Sequence, residues 1–321
     1  MTSKTILVKA DWSAHVRIMR VDHWIKNLFM FPGVVLALAF EARNLNSEIN
    51  FAMFVSVGVG FCALCFISSA NYVINEYLDR EKDRIHPLKG HRAANYFKFS
   101  GQLITLHYFC LVLIAGLFSV KLENSSRAFL FLLLVMGILY NVRPIRLKDL
   151  QYLDVISESV NNPIRLAIGW HCVSPKALVP ASAFLAFWGL GIFLMSLKRY
   201  VEMKLINDKS LLETYRKSFA KWNPEKLLVT AFVGSFASAF FTGVLLGRRN
   251  VDYFLVFPAF LATHAEYLRV SLALSSSSIA PEKLMRNKRL VTLSIVTLLS
   301  FILISFSRSQ ILTKFFPVIN G

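Results

Sequence analysis

Nine apolar runs, each near the ~20 residues a helix needs to cross a bilayer, set the terms for this chain. They fall near residues 24–40, 51–74, 102–120, 127–142, 152–171, 177–197, 227–246, 252–272 and 290–307. With 28 Phe among 321 residues and a mean hydropathy of +0.52, a water-soluble domain could not hide this surface. The expectation is an all-α integral membrane protein, with about nine transmembrane helices in one bundle. A single membrane domain is expected over 1–321, behind a short N-terminal arm over 1–20. The arm reads as free of a cleavable signal peptide. Cys62 and Cys65 form a Cys-x-x-Cys inside an apolar run with no His nearby, which reads as packing.

Charge gives the orientation. The formal net charge is +17, which favours phosphorylated partners or an anionic lipid surface. With the N-terminus placed in the cytoplasm, 26 Lys and Arg fall in cytoplasmic segments, 8 on the opposite side, and Arg165 and Arg269 within spans. That asymmetry predicts a cytoplasmic N-terminus. A bacterial inner membrane is the expected location, and nucleic acid is not an expected partner.

The end of the second run carries Asn71, Asn75, Glu76, Asp79 and Asp83, followed by Arg84, His86, Lys89 and Arg92. Residues four apart drift only about 40° around a helix, so Asn71, Asn75, Asp79 and Asp83 share one face. Asp79 and Asp83 are separated by roughly 6 Å along the axis. Two carboxylates at that spacing, with amides above them, suit a Mg²⁺ ion that clamps a diphosphate. The basic run beyond them suits the phosphates themselves. Read more simply, the acids are a solvated helix end and the bases are a positive-inside anchor.

Three other groups stand out. Arg143, Arg146, Lys148, Asp149 and Asp154 surround the start of the fifth run, and Asp154, Glu158, Asn161, Asn162 and Arg165 then fall on one helical face. A polar stripe through a membrane helix lines a cavity or glues helices together, and the cavity wall is the preferred reading. Lys198, Arg199, Tyr200 and Glu202 sit at the end of the sixth run. Lys198 and Arg199 are candidates for phosphate oxygens, against a plain i,i+4 salt bridge from Lys198 to Glu202. Lys26 and Asn27 open the first run beside Arg20 and Trp24, either as interfacial anchors or as residues that reach the site. Glu266 and Arg269, near His264, read equally as an ion pair or as a substrate contact.

These residues resemble a family. Asn71 to Asp83 is similar to the first Asp-rich motif of the UbiA superfamily of intramembrane prenyltransferases, with Glu76 where that motif usually has Asp. Arg20-x-x-x-Trp24-x-Lys26-Asn27, Asp83-Arg84-x-His86-Pro87-x-Lys89 and Lys198-Arg199-Tyr200-x-Glu202 resemble its decaprenyl-phosphate phosphoribosyltransferase branch. Arg92-Ala93 departs from that branch's Arg-Pro. A second Asp-x-x-x-Asp motif near the sixth span is not evident.

The resemblance implies a bundle around a central cavity open to the cytoplasm and laterally to lipid. It implies that Asn75, Glu76, Asp79 and Asp83 hold Mg²⁺ and that Asn75, Asp79 and Asp83 are catalytic. Asn71, Lys26, Arg84, Lys89, Arg92, Arg146, Lys148, Asp154, Arg165, Lys198, Arg199, Tyr200 and Glu202 would contact substrates. The implied substrates are phosphoribosyl diphosphate and a polyprenyl phosphate. Isoprenoid transfer from a prenyl diphosphate to a small acceptor and non-catalytic carriage of polyprenyl phosphate are the alternatives.

Overall fold

The computed structural model describes residues 8–41, 50–84, 86, 92–206, 208–247, 251–273, 287–306 and 312. Among them the chain is almost wholly helical. Its helices are α1 (Trp12–Ile18), α2 (Phe31–Glu41), α3 (Phe51–Asp83), α4 (Ala93–Tyr96), α5 (Gly101–Ser119), α6 (Asn124–Asn141) and α7 (Leu153–Ser159). They continue with α8 (Asn161–Val173), α9 (Ala181–Ile206), α10 (Lys209–Tyr215), α11 (Pro224–Gly247), α12 (Phe257–Leu272) and α13 (Lys288–Phe306). A 3₁₀ helix over Val21–Met30 leads into α2. The two-residue strands β1 (Val8–Lys9) and β2 (Phe97–Lys98) pair in parallel and tie the N-terminal arm to the segment after α4.

Among the described residues five helices, α3, α5, α6, α9 and α11, are long and apolar enough to cross a membrane. Their outward faces carry large apolar side chains at helical spacing. On α5 these are Leu103, Leu106, Phe109, Leu113 and Leu117, and on α11 Val229, Phe232, Phe236 and Phe240. Such stripes are stable against lipid and not against water. The chain is therefore a multi-pass integral membrane protein.

The longest helix sets the position of the acidic ladder. Asn50 caps α3 by accepting a hydrogen bond from the Met53 amide at 3.0 Å. Its 33 residues reach roughly 50 Å, against about 30 Å of hydrocarbon. The last turns, which carry Asp79 and Asp83, thus have length to spare beyond the apolar layer.

The expected fifth span is two helices. α7 ends at Ser159 and α8 begins at Asn161, with Val160 between them. Pro163 is the cause, because it has no amide proton and its ring collides with the carbonyl four residues earlier. The first expected span is likewise a 3₁₀ segment followed by an 11-residue helix.

α2 and α8 meet backbone to backbone. A Cβ on Gly33 would stand 1.9 Å from the Leu166 carbonyl oxygen, and one on Gly169 would stand 2.0 Å from that of Met30. Only glycine permits this approach, and it brings the 3₁₀ segment with Lys26 and Asn27 against α8.

Candidate active site

A cavity of about 900 Å³ opens within the helices. Its polar part is lined from α3 by Asn71, Asn75, Asp79 and Asp83, the face predicted by the four-residue spacing. Its apolar part is lined from the 3₁₀ segment and from α2, α9, α11, α12 and α13, including Phe29, Leu36, Phe187, Leu190, Leu245, Phe260 and Phe301.

Asp79 is buried, and its two oxygens have separate cations. Arg146 Nη2 donates to Oδ1 and Lys148 Nζ to Oδ2, both at 2.7 Å. Lys148 also donates to Asn141 Oδ1 at 2.8 Å, and Asn75 donates to the same oxygen. Asp83 is bound by Arg92. Burial pushes the Lys148 ammonium down to about 8, with Asp79 opposing the shift. Burial also disfavours the charge on Arg92, but Asp83 and Glu76 outweigh it and hold the pKa above its ordinary value.

Backbone conformation helps to aim these cations. Arg146 has φ 36° and Arg20 has φ 53°, both in the left-handed region that disfavours side chains. Both residues line the cavity. Arg146 is held there by Asp79 and by Asp149, at 3.1 Å from Nε. Strain of this kind persists where the surrounding contacts over-determine the geometry.

The other expected residues divide into two sets. Lys26, Arg92, Arg146, Lys148, Arg165 and Lys198 line the cavity, as do Glu158, Asn161 and Asn162 of the polar stripe. Glu76, Asp154, Arg199, Tyr200 and Glu202 are not among its lining residues. Glu76 is one residue, or about 100°, beyond Asn75. It accepts from the Ala94 amide at 3.1 Å, behind the ladder. Asp154 accepts from Ser218 Oγ at 2.9 Å and from Trp222 Nε1 at 3.2 Å. Arg84 is exposed at the end of α3, and Lys89 lies outside the described residues.

The two members of the Lys-Arg pair have different surroundings. Lys198 faces the cavity and donates to Glu158 Oε1 at 3.1 Å. Arg199 is fully buried, where it binds Glu158, donates to Glu202 Oε2 at 2.8 Å, and stands 3.6 Å from Asp154. Three carboxylates thus surround it, and it is turned away from the cavity. Through Tyr140, which accepts from Arg199 at 2.9 Å and donates to Glu158 at 2.7 Å, the cluster reaches the cavity.

Arg216 and Tyr140 are among the lining residues that the sequence did not single out. Arg216 donates to Tyr140 Oη at 3.0 Å, and both line the cavity. Neither belongs to a spacing pattern in the sequence. Glu266 and Arg269, by contrast, pair at 2.6 Å outside the lining, which is the ion-pair reading. His264 does line the cavity, stacked on Phe193 and held by the Phe260 carbonyl at 3.1 Å.

The donor set tests the expected metal. Asp79, Asp83 and Asn75 offer hard oxygen ligands on one face, as Mg²⁺ requires. Among the described residues no group of three or more His, Cys, Asp or Glu forms a site made of protein alone.

Comparison with known proteins follows the same lines. The sequence model of the UbiA prenyltransferase family matches residues 29–287. The nodulation protein NoeC of Azorhizobium caulinodans is 28% identical over 218 residues, covering 65% of this chain and 66% of that protein. The decaprenyl-phosphate phosphoribosyltransferase of Mycolicibacterium smegmatis is 36% identical over 81 residues, covering 25% of this chain and 24% of that protein. The chain thus spans under two thirds of either curated relative. A UbiA homologue from Archaeoglobus fulgidus, solved with DMAPP and Mg²⁺, superposes with a TM-score of 0.64 at 16% identity, covering 91% of this chain and 97% of its own.

Proposed function

Since this chain belongs to the UbiA prenyltransferase family, a family of transferases, we propose that it moves a 5-phosphoribosyl group from phosphoribosyl diphosphate to a polyprenyl phosphate, with release of diphosphate. The product would be a lipid-linked sugar phosphate for envelope polysaccharide. One observation carries the choice of donor. Among the described residues, nine cationic side chains line the cavity against four carboxylates. Two substrates with a diphosphate and two phosphate monoesters between them call for that surplus, at roughly −1.5 to −2 per monoester. A prenyl diphosphate with a neutral aromatic acceptor calls for much less.

Asp79 and Asp83, with Asn75, would hold Mg²⁺ on the donor diphosphate. Bound there, the ion supplies charge neutralisation of the leaving diphosphate. Arg146, Lys148 and Arg92, now on Asp79 and Asp83, are within reach of the same diphosphate oxygens and would stabilise its growing charge. Breakage of the C1–O bond leaves an oxocarbenium-like sugar, which an acceptor phosphate oxygen attacks. That oxygen is already anionic, so no strong general base is required. The apolar part of the cavity would hold the isoprenoid and exclude water. Nine crossings, a cytoplasmic N-terminus and a bacterial inner membrane complete the reading. They place the ladder on the side where phosphorylated metabolites and Mg²⁺ occur.

Isoprenoid transfer from a prenyl diphosphate is the second reading, supported by the family and by the apolar half of the cavity. Purified protein supplied with Mg²⁺, polyprenyl phosphate and labelled phosphoribosyl diphosphate should carry label into the lipid phase. Transfer seen only with prenyl diphosphate and an aromatic acceptor would replace the first reading with the second. Binding of polyprenyl phosphate with turnover of neither would leave a carrier.

A further inference from the structure

Arg165 is one of the cavity cations that the mechanism above leaves without a task. It sits on α8, is 92% buried, and lines the cavity. Its Nε donates to Asn27 Oδ1 at 3.0 Å. Among the described residues no carboxylate stands within 4.0 Å of it, whereas Arg92, Arg146, Lys148 and Lys198 each have one. A buried guanidinium with no carboxylate in contact is costly, and a bound anion would offset that cost.

The depth of Arg165 says which anion. Asn27 Oδ1 also accepts from Ser68 Oγ at 3.0 Å, so Arg165 Nε is level with Ser68 of α3. Ser68 is eleven residues before Asp79, which is roughly 16 Å along the helix axis. Arg165 therefore lies well below the diphosphate end, inside the apolar length of α3. Lys26, the neighbour of Asn27 in sequence, also lines the cavity, and Phe29, one turn beyond it, contacts Phe187 there. The direct α2–α8 packing at Gly33 and Gly169 fixes Asn27 against Arg165.

We propose that Arg165, with Lys26, forms a second anion subsite that takes the phosphate monoester of the lipid acceptor at the boundary between the polar and apolar parts of the cavity. The proposal rests on the transferase reading in assigning that phosphate to an acceptor. The anion subsite itself rests on burial and position alone. A donor 5-phosphate has the same headgroup chemistry, but it carries no chain to occupy the apolar part beside Phe29 and Phe187. A planar fork matches phosphate oxygens in pairs, so lysine is a poor substitute at position 165.

The test compares farnesyl phosphate with farnesol, which differ only in the phosphate. Binding to purified full-length protein is measured for the wild type and for Arg165→Gln, Arg165→Lys and Lys26→Gln, alongside binding of phosphoribosyl diphosphate with Mg²⁺. The expected result is that farnesyl phosphate binds the wild type more tightly than farnesol. Arg165→Gln should lose roughly ten- to hundred-fold of that preference, the range for a hydrogen bond to a charged group. Arg165→Lys and Lys26→Gln should lose part of it, and farnesol binding, which also reports an intact fold, should not change. Equal binding of farnesyl phosphate and farnesol by the wild type overturns the subsite. So does an Arg165→Gln variant that keeps the full preference. If Arg165→Gln weakens phosphoribosyl diphosphate instead, the assignment to the acceptor is wrong. If the phosphate preference depends on Arg165 while phosphoribosyl diphosphate does not bind the wild type, the subsite stands and the proposed donor falls.

Discussion

Replacing Asp79 by Asn tests the electrostatics of the ladder apart from turnover. The substitution keeps the shape and removes one negative charge. In the substrate-free protein that charge is shared by Arg146 and Lys148, each at 2.7 Å and all three groups buried. Breaking a buried pair from one side costs about 3–5 kcal/mol, because the remaining charge is left uncompensated. Arg146 keeps Asp149 and Lys148 keeps Asn141 as acceptors, which puts the cost near the lower bound, at about 3 kcal/mol. Asp83→Asn releases only Arg92 and should cost about 1.5–3 kcal/mol. The informative variant is Asp79→Asn combined with Lys148→Met, which removes both members of one pair. The double variant should be less destabilised than the sum of the singles by about 1–3 kcal/mol. Chemical denaturation in detergent, followed by tryptophan fluorescence, reads all four proteins. Additivity within about 0.5 kcal/mol, or an Asp79→Asn variant as stable as the wild type, would refute the charge coupling.

Four further outcomes follow from the same structure. Asp79→Asn and Asp83→Asn, assayed at temperatures where both remain folded, should each lose at least about 10²-fold in turnover, the scale for removing a group that stabilises developing charge; full activity in both would remove the metal clamp. Arg199→Leu strands Glu158, Glu202 and Asp154, and should cost about 3–5 kcal/mol of stability; a lower substrate affinity with unchanged stability would make Arg199 a substrate contact after all. Gly33→Ala sets a methyl against the Leu166 carbonyl and should cost about 1–3 kcal/mol or prevent folding, read as loss of thermal stability. Chelation of divalent ions should abolish phosphoribosyl transfer while leaving farnesyl phosphate bound, and Mg²⁺ should restore it.

The sequence made the ladder legible because its information is periodic. A four-residue spacing identifies a helical face whatever packs against it, and Asn71, Asn75, Asp79 and Asp83 do line one cavity. Length and apolarity identified the five long spans in the same way. The expected residues that do not line the cavity are held by tertiary partners. Arg199 follows Lys198 by about 100°, enough to turn it from the cavity into a nest of carboxylates contributed by α7 and its own helix. Glu76 turns from the ladder in the same way. Asp154 left the polar stripe because Ser218 and Trp222, more than sixty residues later, enclose it. Pro163 announced the break between α7 and α8, but hydropathy alone ran through it. Arg216 and Tyr140 are isolated in sequence and meet only through the fold.

The central claim concerns which bonds break and form, and ³¹P NMR reads them directly. Purified protein is given Mg²⁺, farnesyl phosphate and phosphoribosyl diphosphate in excess. The account predicts one phosphodiester signal gained for each inorganic diphosphate released, with the 5-phosphate monoester intact and the farnesyl monoester consumed. Release of diphosphate with the farnesyl monoester unchanged, or release only when a prenyl diphosphate replaces phosphoribosyl diphosphate, would contradict it.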